Sequence, residues 1–168
     1  MRTDYFPFEE WVYILRLLQP IDRIITKISL HTGLRISDIL EIKKNKFKKR
    51  MTIHEKKTGK KKDIYLPERL YTEALQFIKT DNEYLFPAAK GTGHRSRQAI
   101  YYDFKRASEA LRLKGNLAPH SARKYYAVAK YRKWNDIRRV QKKLLHENIA
   151  TTTLYVFSDK MREGETNE

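Results

Sequence analysis

The feature that most limits the fold is a change in the spacing of apolar residues. Through most of the chain they return at every third or fourth position, as on one face of a helix. Trp11, Ile14, Leu15 and Leu18 do so, then Ile100, Phe104, Ala107 and Leu111, then Ile137, Val140 and Leu144. One stretch differs: "MTIHEKK" and "KKDIYLP" read as two short strands, with Thr58-Gly59-Lys60 as the hairpin turn between them. The expected fold is therefore mainly α with one small antiparallel β-sheet, an α+β arrangement.

Punctuation places the elements. Pro20 ends the first helix, and a second follows from about residue 21 to 31 until Gly33 breaks it in "HTGLRISDIL". Helix resumes near Ser37, read as its cap, and carries Ile39, Leu40 and Ile42. The basic run 43–50 is a connector. Pro67 opens the next helix, whose buried stripe is Leu70, Ala74, Phe77 and Ile78. Residues 90–97, "KGTGHRSR", form a polar loop, and the last third holds helices near 120–133, 136–145 and 149–157. Residues 1–157 are expected to form one domain, and 158–168 a polar, mobile tail.

Charge narrows the partners. Lys and Arg number 36 against 20 Asp and Glu, a net charge of +16. Such a surface attracts a polyanion, and nucleic acid is the default, although an anionic membrane or a ribosome would satisfy the charge alone. Arg138, Arg139, Lys142 and Lys143 cluster opposite the apolar side of their helix, and Lys60 and Lys61 stand at the hairpin, so these six are candidate DNA contacts. No apolar run approaches the ~20 residues of a membrane span. Glu9 and Glu10 interrupt any signal-peptide core. Without cysteine the chain has no disulfide scaffold and no thiolate zinc site. A cytoplasmic setting fits.

"HSARKYY", residues 120–126, puts His120 and Arg123 on one face of a helix, with Ala122, Tyr125, Tyr126 and Ala129 as the core-facing stripe. That orientation turns His120 and Arg123 away from the core, as on a solvated basic face. Other residues change the reading. Arg35 follows a glycine break in "TGLRISDIL", Lys57 lies beside the hairpin tip in "KKTGKKK", and "LLHENIATTTLYV" puts His146 nine residues before Tyr155. His31, His54 and His94 carry no motif.

From about residue 7 to 157 this ordered set resembles the catalytic domain of the tyrosine recombinases, the phage integrase family. The family pattern is Arg in T-G-L-R-x-S-[DE], Lys in a β-hairpin, H-x-x-R, a second His, and Tyr nine residues later. Two positions depart: Lys124 stands where the family commonly has His, and Leu145 where it commonly has Gly before the second His. The resemblance implies a site-specific recombinase or integrase that cleaves and rejoins double-stranded DNA through a 3′-phosphotyrosine. Its setting would be a prokaryotic cell or a mobile element, and it would assemble as a tetrameric synapse on DNA. The N-terminal DNA-clamping domain common in the family is not expected within these residues, which would be either a catalytic fragment of a longer protein or a short member of the family. The alternatives are a type IB topoisomerase-like enzyme with the same chemistry, and a non-catalytic DNA-binding regulator, whose mark would be a lost catalytic residue.

The chemistry fits the residue types. Phosphoryl transfer asks for positioning and charge stabilisation, and two guanidinium forks, Arg35 and Arg123, bind non-bridging oxygens with a geometry lysine lacks. They take the place a divalent metal fills elsewhere, so no metal or cofactor is implied. Tyr155 is the implied nucleophile, and a phenol with a reference pKa of ~10 needs a proton acceptor or an electropositive site. His120 is the implied acceptor, or it orients the phosphate. Lys57 would protonate the departing 5′-oxygen, although its lysine neighbours could share or replace it. His146 would donate a hydrogen bond to the phosphate. Asp38 either caps a helix or buttresses an active-site arginine.

Overall fold

A computed structural model describes residues 3–79 and 81–160. Eight α-helices and one two-stranded sheet are present among them. Helix α1, Phe8–Leu17, buries Trp11 and Ile14 and carries Glu9 and Glu10 in its first turn, where carboxylates suit the helix dipole. Pro20 ends that helix and also opens α2, Pro20–Thr32, from the N1 position, where its missing N–H costs nothing.

Gly33 closes α2 in the left-handed region, φ 68°. A Cβ there would lie 2.5 Å from the Tyr126 ring, so this position also sets how closely a later helix can approach. Helix α3, Ile36–Leu40, starts two residues earlier than a cap at Ser37 implied. Arg35 holds the N-cap position through its backbone, and no side chain caps the helix. The run 43–50 contains a single 3-10 turn, Lys44–Lys46.

Strands β1, Arg50–His54, and β2, Lys61–Tyr65, pair antiparallel with Thr52 opposite Asp63 and His54 opposite Lys61. Gly59 takes the positive φ of the turn. Alternation along β2 sends Lys62 and Ile64 inward and leaves Lys61, Asp63 and Tyr65 outside.

Helix α4, Glu68–Leu75, follows Pro67. Ala74 is buried, and Leu70 and Phe77 pack partly on the core. Ile78 belongs to neither the helix nor its buried stripe and is 36% exposed. Helix α5, Arg97–Ala110, is capped by Ser96, whose hydroxyl accepts the Ala99 N–H at 3.1 Å. The polar loop before it is anchored by Arg95, which donates to both Asp22 oxygens at 2.6 and 2.7 Å.

The last three helices are α6, Pro119–Trp134, α7, Ile137–Leu144, and α8, Ile149–Val156, the last two capped by Asp136 and Asn148. The main core lies among α1, α2, α3, β2, α4 and α5, and Ala122 of α6 joins it. A second, smaller cluster joins Tyr126 and Ala127 of α6 to Val140, Leu144 and Val156. Ser158 and Asp159, assigned to the tail from sequence, are buried. The Ser158 hydroxyl donates to the Tyr155 carbonyl at 2.7 Å, and Asp159 pairs with Arg132 at 2.7 Å. The remainder of the expected tail, 161–168, lies outside the described residues.

Candidate active site

Arg123 corrects the helical-wheel reading of "HSARKYY". It is 1% exposed, among the largest fully buried side chains, while Ala129 of the supposed core stripe is only partly buried. α6 is enclosed on more than one side, and polar partners make burial of the guanidinium tolerable. Its Nη1 donates to the Gly33 carbonyl at 2.6 Å, and its Nη2 donates to the Leu144 carbonyl. Nη1 also lies 3.3 Å from Glu55 Oε1. Three chain segments thus meet at one side chain: the end of α2, the end of α7 and the exit of β1.

Glu55 was not singled out from sequence. It is 1% exposed and joins the two arginines, because its Oε2 pairs closely with Arg35 Nη1. Arg35 is 16% exposed, and its Nη1 also lies 4.0 Å from Asp38 Oδ2. Asp38 caps no helix side chain-to-backbone. Its Oδ1 accepts the Lys56 N–H at 3.0 Å, tying α3 to the hairpin, and burial pushes its carboxyl pKa up.

His146 and Tyr155 meet edge to face with ring centroids 5.0 Å apart. His146 Nδ1 is 3.1 Å from the Thr152 hydroxyl. Burial, then Arg123 and Arg35, lower its pKa to about 3, so the ring is neutral at physiological pH. Leu145 takes the left-handed conformation that the family commonly gives to Gly, φ 53°, and its N–H reaches back to the Gln141 and Lys142 carbonyls. The turn is made without glycine, at a cost in backbone strain.

His120 is exposed at the start of α6. Partial burial of its ring and the adjacent Arg123 and Arg35 hold its pKa below the ordinary imidazole value. Lys124, at the departure from the family pattern, is buried, donates to the Thr3 carbonyl and lies 5.7 Å from the Tyr155 ring centroid.

The hairpin distributes its lysines unexpectedly. Lys57 is exposed in the turn, with no hydrogen bond or ion pair among the described residues. Lys60 and Lys61 are exposed too. Lys62 is 6% exposed, and its Nζ has no hydrogen-bond partner among the described residues. Burial, then the nearby Arg123, lower its pKa to about 7. One signal could have found it: Lys62 is in phase with Ile64 and Leu66 on an alternating strand. Arg138, Arg139, Lys142 and Lys143 are exposed on the outer face of α7. Among the described residues no group of His, Asp or Glu is arranged to hold a metal ion, and no helix is long and apolar enough to cross a membrane.

This fold and this gathering of Arg35, Arg123, His146 and Tyr155 define a tyrosine recombinase catalytic domain. The comparisons agree: residues 8–162 match the model of the phage integrase family, and the chain belongs to that family. It is 31% identical over 135 residues to the probable integrase/recombinase YoeC of Bacillus subtilis (strain 168), covering 78% of this chain and 74% of that protein. It is 28% identical over 151 residues to the tyrosine recombinase XerD of Rhizobium meliloti (strain 1021), covering 80% of this chain and 49% of XerD, about half its length. The fold matches that of a lambda integrase dimer bound to a COC′ core site, with a TM-score of 0.76 at 18% identity, over 93% of this chain and 60% of the other.

Proposed function

We propose that this chain is the DNA-cleaving and rejoining domain of a site-specific recombinase, acting on double-stranded DNA as a homo-oligomer in the cytoplasm of a prokaryotic cell. The observation that carries the reading is the joining of Arg35 and Arg123 through one carboxylate, with His146 and Tyr155 ring to ring beside them. Tyr155 Oη attacks the scissile phosphorus while the bond to the 5′-oxygen breaks. The phenolic proton passes to His120, whose lowered pKa leaves it neutral and able to accept. The arginine forks bind the non-bridging oxygens as negative charge grows on them, so they act more strongly in the transition state than on bound DNA. Neutral His146 accepts a hydrogen bond from the Thr152 hydroxyl on Nδ1 and turns Nε2–H to the phosphate. The outer face of α7 and the hairpin lysines hold neighbouring phosphates, and the 5′-hydroxyl later attacks the phosphotyrosine to rejoin a strand.

A hairpin lysine protonates the departing 5′-oxygen. Lys57 is the reading from the family pattern, and the burial of Lys62 beside Arg123 favours it as the second candidate. Both points are tested on a nicked suicide substrate. The parent should form a covalent adduct, and Tyr155→Phe should form none while keeping its DNA affinity. A Tyr155→Phe protein that still becomes attached would overturn the reading. With sulfur in place of the bridging 5′-oxygen, the leaving group needs no proton. The lysine whose loss is rescued on that substrate, Lys57→Ala or Lys62→Met, is the acid.

A further inference from the structure

The deepest charge in the site is negative. Glu55 is enclosed with Arg35, Arg123 and Lys62, and the carboxylate of Asp38 faces the same group. Its Oε1 meets Arg123 and its Oε2 meets Arg35. The same Oε2 accepts the Thr58 hydroxyl at 3.2 Å. Its backbone closes the hairpin turn: its N–H donates to the Lys60 carbonyl at 3.0 Å, and its carbonyl accepts from the Gly59 N–H at 2.8 Å.

We propose that Glu55 is a positioning residue of the strand-transfer site, a buried carboxylate that braces both arginine forks and ties them to the turn of the lysine hairpin. The proposal rests on the recombinase reading above. Two guanidinium groups aimed at one phosphate repel each other, and Arg35 contributes to the lowering of the Arg123 pKa while Glu55 opposes it. Glu55 relieves that repulsion before DNA arrives. It holds each fork from behind and leaves the remaining N–H groups for the phosphate. Its negative charge then disfavours the bound phosphodiester in the ground state. Binding and cleavage are therefore pulled in opposite directions by the same group.

That opposition is the test, because a residue serving only stability would move both measures together. Glu55→Gln keeps the shape and removes the charge. It should bind uncleaved DNA several-fold more tightly than the parent and cleave a suicide substrate more slowly in a single turnover. A misalignment of about 1 Å costs on the order of 100-fold in rate. Glu55→Asp keeps the charge but is too short to span both forks, so it should show parent-like affinity and slowed cleavage. Thr58→Val cuts only the tie to the turn. It should slow cleavage of ordinary DNA and spare the 5′-sulfur substrate, because the step it disturbs is proton delivery.

Proportional loss of affinity and rate in Glu55→Gln, or a parent-like rate in both Glu55 variants, would overturn the proposal. If Glu55→Gln fails to fold, Glu55→Asp decides alone. Failure of the parent to form an adduct at Tyr155 would instead overturn the recombinase reading itself, so the two failures are distinguishable.

Discussion

Arg35 and His146 reach the candidate site from two kinds of packing. Around Arg35, Ile28, Leu34, Ile39 and Leu40 are all fully buried in the main core. Each such side chain contributes about 1.5–3 kcal/mol by leaving water. Around His146 and Tyr155 the apolar cluster is small, and Tyr131, Trp134 and Phe157 at its margin are only partly covered. Polar tethers do much of the holding there: Thr152 to His146, Ser158 to the Tyr155 carbonyl, and Asp159 to Arg132. The difference teaches that Arg35 is fixed by the body of the fold, whereas Tyr155 sits on a thinner unit whose local opening costs less.

Arg123 bridges the two units, so its loss should have the largest effect. Arg123→Ala removes the bonds to Gly33 and Leu144 and leaves Glu55 short of one counter-charge. Breaking a buried pair of this kind costs about 3–5 kcal/mol of stability. Cleavage by the protein that remains folded should fall by a further 10²–10³-fold or so, as for other lost oxyanion donors. Denaturant unfolding beside single-turnover cleavage measures both, and Arg123→Lys should restore little of either, since one ammonium cannot reach two carbonyls and a carboxylate.

The next prediction separates the units. Leu144→Ala and Ile28→Ala should each destabilise by about 2–5 kcal/mol. Per folded molecule, only Leu144→Ala should slow adduct formation, because only that residue supports both the Arg123 carbonyl partner and the turn into His146. Equal kinetic damage from the two would show that the site draws on one continuous core.

Lys62→Met should stabilise the protein at neutral pH, by about 1–4 kcal/mol as in other replacements of buried charge. The folded pKa of about 7 lies below the ordinary 10.5, so the unfolded chain holds more protons between these values. Stability of the parent therefore falls as pH drops from 10.5 toward 7, and the advantage of Lys62→Met should shrink on raising pH through that window. Thermal melts at several pH values read this directly, and a pH-independent difference would mean that the ammonium has a partner in solution.

The smallest effect is at Leu145. Replacing it by Gly relieves the left-handed backbone and should raise stability by about 1 kcal/mol, less the loss of the leucine side chain's own contacts. A destabilised Leu145→Gly would show that those contacts outweigh the strain.

The sequence exposed much of this arrangement and hid particular parts of it. Helical spacing located α1, α5 and α7, and the glycine break before Arg35 located the end of α2. The motif residues could be read because their spacing along the chain follows an ordered pattern. Glu55 and Lys62 could not, since lysine runs and a lone Glu look solvated when read without strand phase. Each is in register with its apolar neighbours, Met51 and Ile53 for Glu55, Ile64 and Leu66 for Lys62, and that phase is the only local sign of burial. Arg123 was turned outward for a related reason: a helical wheel knows one core, and α6 touches two. Ser158 and Asp159 look like tail in the sequence because polar residues usually face solvent, whereas each has a specific partner.

The carbonyls that hold Arg123 have a consequence for the life of the protein in a cell. Gly33 and Leu144 are separated by most of the chain, and neither can accept from Arg123 until both helix ends have arrived. A nascent or half-unfolded molecule would still carry the excess of positive charge and would still be drawn to DNA. It would lack the aligned fork, and with it the means to cut. Competence to break a strand is thereby made conditional on complete assembly, so an immature copy would hold DNA without cutting it.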